Sequence, residues 1–133
     1  MYKKVQFFTP PNTMRPIGPY SHIAKAGDFI TIGATAGVDP ATERLVGSDV
    51  TSQTLQILDA FETMLESVGS DLAHVIHINV FLKDMNDFNA MNAAYEAKMG
   101  KRRPARTAIA VVDLPKSDAL LTMNLTAVVA GLL

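Results

Sequence analysis

Nine residues, HVIHINVFL (74–82), constrain the fold more than any other stretch of the chain. They are β-branched and aromatic, contain no glycine or proline, and read as a strand. Side chains alternate between the faces of a strand, so Ile76, Ile78, Val80 and Leu82 point one way and Val75, His77, Asn79 and Phe81 the other. Both sets are largely apolar. Such a strand belongs inside a sheet and needs cover on both sides.

The flanking segments supply cover for one side. From about Asp49 to Val68 the apolar residues Leu55, Leu58, Phe61, Leu65 and Val68 recur at spacings of three and four, the stripe of an amphipathic helix. Ser48 or Asp49 can cap its start, and Gly69 suits the left-handed position beyond its end. A second helix runs from about Asn86 to Met99, with Asn86 or Asp84 as cap, a stripe of Phe88, Met91, Tyr95 and Met99, and Gly100 as stop. SHIAKAGDFITIGAT (21–35) reads as two short strands turning at Gly27-Asp28, and GVDPATERLVG (37–47) as loop and turn. FFTPPNTMRPIGPY (7–20) holds four prolines and is neither a continuous helix nor a central strand. RTAIAVVDL (106–114) and LLTMNLTAVVAGLL (120–133) are further strands. The order is β-β-β-α-β-α-β-β, an α+β chain. Two helices cover one face of a sheet this size. The other face calls for a partner, and a second copy of the chain is the simplest one.

Length and composition narrow the function. The 133 residues make one domain, 1–133, with a sizeable core. No apolar run approaches the roughly 18–20 residues of a membrane span, and Met1-Tyr2-Lys3-Lys4 leads to no secretory apolar segment. There is no cysteine, which excludes disulfides and thiolate metal sites and fits a cytoplasmic protein. A net charge of −1 disfavours general binding to nucleic acid. His22, His74 and His77 show no metal-ligand spacing, and neither a phosphate-binding loop nor a GxSxG elbow is present.

KRRPAR (101–106) is the one cluster with chemical interest. Lys101, Arg102 and Arg103 read as a solvated basic loop. Arg106 differs, because it stands where the chain enters an apolar strand. A cation there needs an anionic partner. That partner is either a carboxylate of the protein or the carboxylate of a ligand held by a bidentate fork, and spacing leaves both open.

Four stretches, IGPYSHIAKAGDFITIGATAGVDPAT, VFLKDMNDFNAMNAAYEA, RPARTAIAVVDLP and the closing strand, together resemble in order and spacing the Rid family, also called the YjgF or UK114 family, over about residues 15–130. The resemblance implies a chorismate-mutase-like fold, a mixed six-stranded sheet with two helices on one face. It implies a homotrimer with active sites between subunits, and no cofactor, metal, nucleic acid or membrane partner. It implies cofactor-independent hydrolysis of 2-aminoacrylate and related 2-imino acids to 2-keto acids and ammonia. Arg106 falls on the arginine that grips the substrate carboxylate, Tyr20 on a pocket tyrosine, Asn92 on an asparagine near the site, and Ala108 where a main-chain N–H meets the ligand.

Two departures bear on that activity. The closing strand of the family's deaminases carries a pair of glutamates, one of which handles the attacking water. Depending on how the preceding loop aligns, its place here is taken by Thr122 or Asn124, and neither side chain is a general base at neutral pH. The family's SGQ stretch reads GAT (33–35), so a pocket serine is replaced by Gly33. The expectation is a weaker deaminase or one of shifted preference, or a non-catalytic protein that binds a 2-keto acid or another small carboxylate. Old family labels also suggest a ribonuclease, but His74 and His77, facing opposite ways, cannot act as acid and base at one phosphate.

Overall fold

A computed structural model describes residues 4–131. Six strands form one mixed sheet in the spatial order β1-β2-β3-β8-β6-β7. They are β1 (Val5–Phe8), β2 (Ile23–Ala26), β3 (Phe29–Thr35), β6 (Val75–Leu82), β7 (Ala105–Ala110) and β8 (Leu121–Val128). The short β4 (Val38–Asp39) and β5 (Arg44–Leu45) pair with each other within the segment 37–47, which reads as loop and turn from sequence. Every neighbour in the large sheet is antiparallel except β6 and β7. A parallel pair requires a crossover, and helix α2 (Phe88–Met99) provides it.

Helix α1 (Val50–Ser67) begins and ends where its sequence signals stand. Asp49 has extended backbone, and its carboxylate accepts the Ser52 N–H at 2.8 Å. At the other end Gly69 takes φ +80° while the Ser70 N–H reaches back to the Leu65 carbonyl at 2.9 Å, a Schellman closure. In the second helical segment Asp84 caps a single 3₁₀ turn (Met85–Asp87), and α2 proper starts after it. Gly100, at φ +62°, ends it.

Both helices lie against one face of the sheet. Leu58, Phe61 and Leu65 of α1 and Met91 and Met99 of α2 are buried with Ile30, Ile32, Ile78, Val80, Leu82 and Met123. Two details differ from the periodicity. The α1 stripe is broader than Leu55 to Val68: Ile57 and Met64 are also buried, and Leu55 is only half-buried. In β6 the register with β8 shifts between Val75 and His77. This bulge turns Val75 into the core and Ile76 outward to 44% exposure, reversing the faces that strict alternation assigns to them.

The opposite face carries no element of the described chain. By register it holds Val5 and Phe7 of β1, Phe29 and Thr31 of β3, Thr122, Asn124 and Thr126 of β8, Asn79 and Phe81 of β6, and Ile109 of β7. Phe7 and Phe29 are 68% and 59% exposed.

Candidate functional site

Arg106 lies on β7 opposite Ile78, so its side chain is on the helix-covered face, at the sheet's edge and beneath α2. The stripe that packs α2 on the sheet receives it. Its guanidinium carbon sits 4.8 Å from the Tyr95 ring centre and 5.8 Å from that of Phe88. Its Nη1 is 4.0 Å from the Met91 sulfur. The two rings hold the cation, one Nη1–H meets the Met91 sulfur, and no oxygen acceptor among the described residues takes its other N–H groups. None of the ion pairs among the described residues includes Arg106.

Its basic neighbours are occupied elsewhere. Arg102 donates to the Met99 and Lys98 carbonyls, capping the C-terminus of α2, and Arg103 pairs with Glu96 at 3.2 Å. A cavity of about 450 Å³ opens between α2 and β7, and Asn92, Tyr95 and Arg106 line it. Burial raises the Tyr95 pKa, and the opposing field of Arg106 does not cancel this, so the phenol stays neutral at physiological pH. Its buried hydroxyl has no hydrogen-bond partner among the described residues. Ala108 lies two residues along the strand from Arg106. The Val111 N–H is donated to Leu82 of β6, so by alternation the Ala108 N–H points away from β6 to the sheet's open edge.

Tyr20, Gly33 and Thr122 line a second cavity, of about 540 Å³, at the other side of the molecule. The proline-rich segment folds over the ends of β3 and β8 to form it. His22, 1% exposed, anchors that segment: its Nε2 donates to the Met14 carbonyl, its own carbonyl accepts the Gly33 N–H, and its ring meets Tyr20 edge-on at 6.1 Å. The Tyr20 hydroxyl in turn accepts the Ile17 N–H at 3.2 Å. Buried Gln53, which the sequence does not single out, donates to the Gly47 carbonyl and accepts the Leu120 N–H at 2.8 Å. That fixes Leu120, the residue just before β8 and two before Thr122.

The two candidates on β8 lie in different surroundings. Thr122 lines the cavity. Asn124 lies farther along the open face, where its side-chain oxygen accepts from Asn79 at 2.8 Å. Among the described residues no acidic side chain lines this cavity.

The sequence-derived residues therefore form two groups. Arg106 and Asn92 share one cavity, Tyr20, Gly33 and Thr122 share the other, and one chain does not join them. Thr122 pairs with Phe81 and Arg106 with Ile78, so they lie on opposite faces of the sheet. His74 is bonded to Asp71 at 2.6 Å and His77 to Thr107 at 3.1 Å. Among the described residues no cluster of three or more His, Asp or Glu could hold a metal. No described helix is long and apolar enough to cross a membrane.

Comparison with known proteins places this geometry. A model of the family described as endoribonuclease L-PSP matches residues 11–129. A RutC family protein of Pyrococcus horikoshii is 43% identical over 113 residues, 85% of this chain and 89% of that protein. The human 2-iminobutanoate/2-iminopropanoate deaminase is 35% identical over 104 residues, 78% of this chain and 76% of that enzyme. The crystal structure of E. coli TdcF with bound serine superposes with a TM-score of 0.86 at 25% identity, covering 92% of this chain and 98% of that one.

Proposed function

Since the chain belongs to the endoribonuclease L-PSP family, the family of the Rid, YjgF and RutC proteins, we propose that it hydrolyses small 2-imino carboxylic acids to 2-keto acids and ammonia. One observation carries this reading: a half-buried arginine, gripped by aromatic rings and paired with no carboxylate of its own chain among the described residues. Such a cation is suited to a ligand's carboxylate. The deaminase name of the human relative and the serine bound to TdcF favour a ligand of amino-acid type.

In this reading the protein is a homotrimer. The open sheet faces of neighbouring copies pack together, and the Arg106 cavity of one copy meets the Tyr20 cavity of the next. The Arg106 guanidinium donates two bonds to the carboxylate, each charge-assisted and contributing roughly 1.5–3 kcal/mol. The edge-facing Ala108 N–H adds a third donor. The imine carbon is then held where water, hydrogen-bonded by the Thr122 and Tyr20 hydroxyls, reaches it. Water oxygen adds to the C=N carbon, its proton passes to nitrogen, and the carbinolamine collapses to a C=O group with loss of ammonia. The chain's contribution is positioning, since no carboxylate base lines the cavity.

The test is to generate 2-aminoacrylate with a serine dehydratase in the presence of semicarbazide. The protein should divert the imine to pyruvate, and Arg106→Ala should lower that diversion at least a hundredfold while leaving the assembly intact. Arg106→Lys, which keeps charge but loses the fork, should recover only part of it. An active Arg106→Ala protein would exclude the assignment. The missing acid also favours a second reading, a protein that binds a small carboxylate without turning it over. Thr122→Glu separates the two: a rise of tenfold or more in turnover, within the usual range for general base catalysis, marks a catalytic scaffold.

A further inference from the structure

We infer that the Tyr20 cavity is a side-chain subsite for large apolar groups, so that branched or aromatic 2-imino acids are preferred over 2-aminoacrylate and 2-iminopropanoate. This rests on the deaminase reading and adds to it the class of substrate.

Three observations support it. First, apolar groups dominate the lining: Met14, Ile17, the Tyr20 ring, Ala34 and Pro115 surround the space, and among the described residues Lys116 is the only charge on it. No carboxylate there matches a cationic side chain, and an apolar wall discriminates by fit and volume. Second, the size is wrong for the smallest substrates. At about 540 Å³ the cavity is within the range of roughly 300–1,000 Å³ typical of sites for drug-sized ligands, and a three-carbon acid leaves most of it to water. Third, Gly33 leaves its part of the lining open. A Cβ placed on it would have nothing within 4 Å, and its backbone is not in the left-handed region, so neither packing nor conformation of this chain requires glycine there. The vacant volume is available to a ligand. His22 and Gln53 brace the two sides of the cavity from behind, one through the Met14 carbonyl and the other through the Leu120 N–H.

The experiment compares 2-imino acids produced by an L-amino-acid oxidase from alanine, leucine and phenylalanine, with semicarbazone formation as the common readout. The leucine- or phenylalanine-derived imine should be hydrolysed at least tenfold faster than that from alanine, the scale on which added apolar atoms count in a fitting pocket. Equal or faster hydrolysis of the alanine-derived imine overturns the inference and leaves the deaminase reading standing. If no imine is hydrolysed, the deaminase reading fails, and calorimetric binding of pyruvate, 4-methyl-2-oxopentanoate and phenylpyruvate decides the subsite alone. Tighter binding of the two bulky acids sustains it, and equal or undetectable binding overturns it. Gly33→Val gives a second measure, lowering the bulky-to-small ratio about tenfold as that part of the cavity fills. Ala34→Leu serves if that variant does not fold. An unchanged ratio in the folded variant also overturns the inference.

Discussion

The two faces of the sheet are made by the same strands and solved by different means. On one, Ile78, Val80 and Leu82 are fully buried beneath α1 and α2, and the chain completes its own interior. On the other, Phe29 and Phe7 stand in the open, and Asn79 and Asn124, on the neighbouring strands β6 and β8, bond to each other. A core formed within one chain needs only volume and patterning. A face meant for another copy must also be kept from meeting anything else, and in the proposed assembly the paired amides would set a register for the contact. Arg106 is at the rim of the first face and Thr122 on the second. A site that needs both is a site between copies.

The largest effect that would break this contrast comes from Phe29→Glu. If the open faces of copies pack together, the substitution buries like charges against one another. Light scattering should report a monomer, and deaminase activity should disappear. Val112→Glu, on a fully exposed residue after β7, is the control and should remain assembled. A Phe29→Glu protein of unchanged mass would show that this face is not the interface.

A smaller effect sharpens the same point. Arg106→Ala and Tyr20→Ala each damage one cavity. If the cavities join only between copies, refolding the two inactive proteins together regenerates intact sites. Random mixing in a closed ring restores about a quarter of the sites, with activity rising to match. Mixtures no more active than their components would place both halves within one chain.

How far these features were legible follows from what each depends on. The ends of α1 were readable because Asp49 and Gly69 act within one turn of the backbone. The two-sided strand 74–82 and the need for a partner face came from alternation. The bulge that exchanges Val75 and Ile76 did not, because the residues there are all apolar and any register suits them equally. Arg106 was singled out by its place at the mouth of a strand. Its aromatic support was written in the same stripe, Phe88, Met91 and Tyr95, that packs α2, but only the β6–β7 register places it under that stripe. Which of Thr122 and Asn124 takes the glutamate's place depends on the length of a loop, which sequence alone leaves open; the fold adds that Thr122 lines the Tyr20 cavity and that Asn124 bonds Asn79. His22 and Gln53 gave no signal, since each acts through backbone groups with no sequence pattern of their own: the Met14 carbonyl eight residues back for His22, and Asp118 and Leu120 far along the chain for Gln53.

The smallest expected effect tests whether the covered face stands on its own. Lys98 of α2 bonds Glu62 at 2.9 Å and Asp59 at 3.0 Å, both on α1, on the outer side of the helix layer. The hydrogen bond to Glu62 first, then that to Asp59, raises its pKa despite partial burial. A raised folded-state pKa means a contribution fully present below the unfolded lysine value of about 10.4 and lost as pH climbs through the higher folded one. The acidic partners are substantially exposed, so screening keeps the contribution small. Lys98→Met, which keeps the apolar stem, should cost about 0.5–1 kcal/mol at neutral pH, a fall of a few degrees in Tm. That difference should shrink as pH rises through the lysine range. Oligomeric mass and turnover should stay as in the parent, because the bridge touches neither cavity nor the open face. If Lys98→Met also loosened the assembly, the helix layer and the open face would be one cooperative unit, and the division between them would fail.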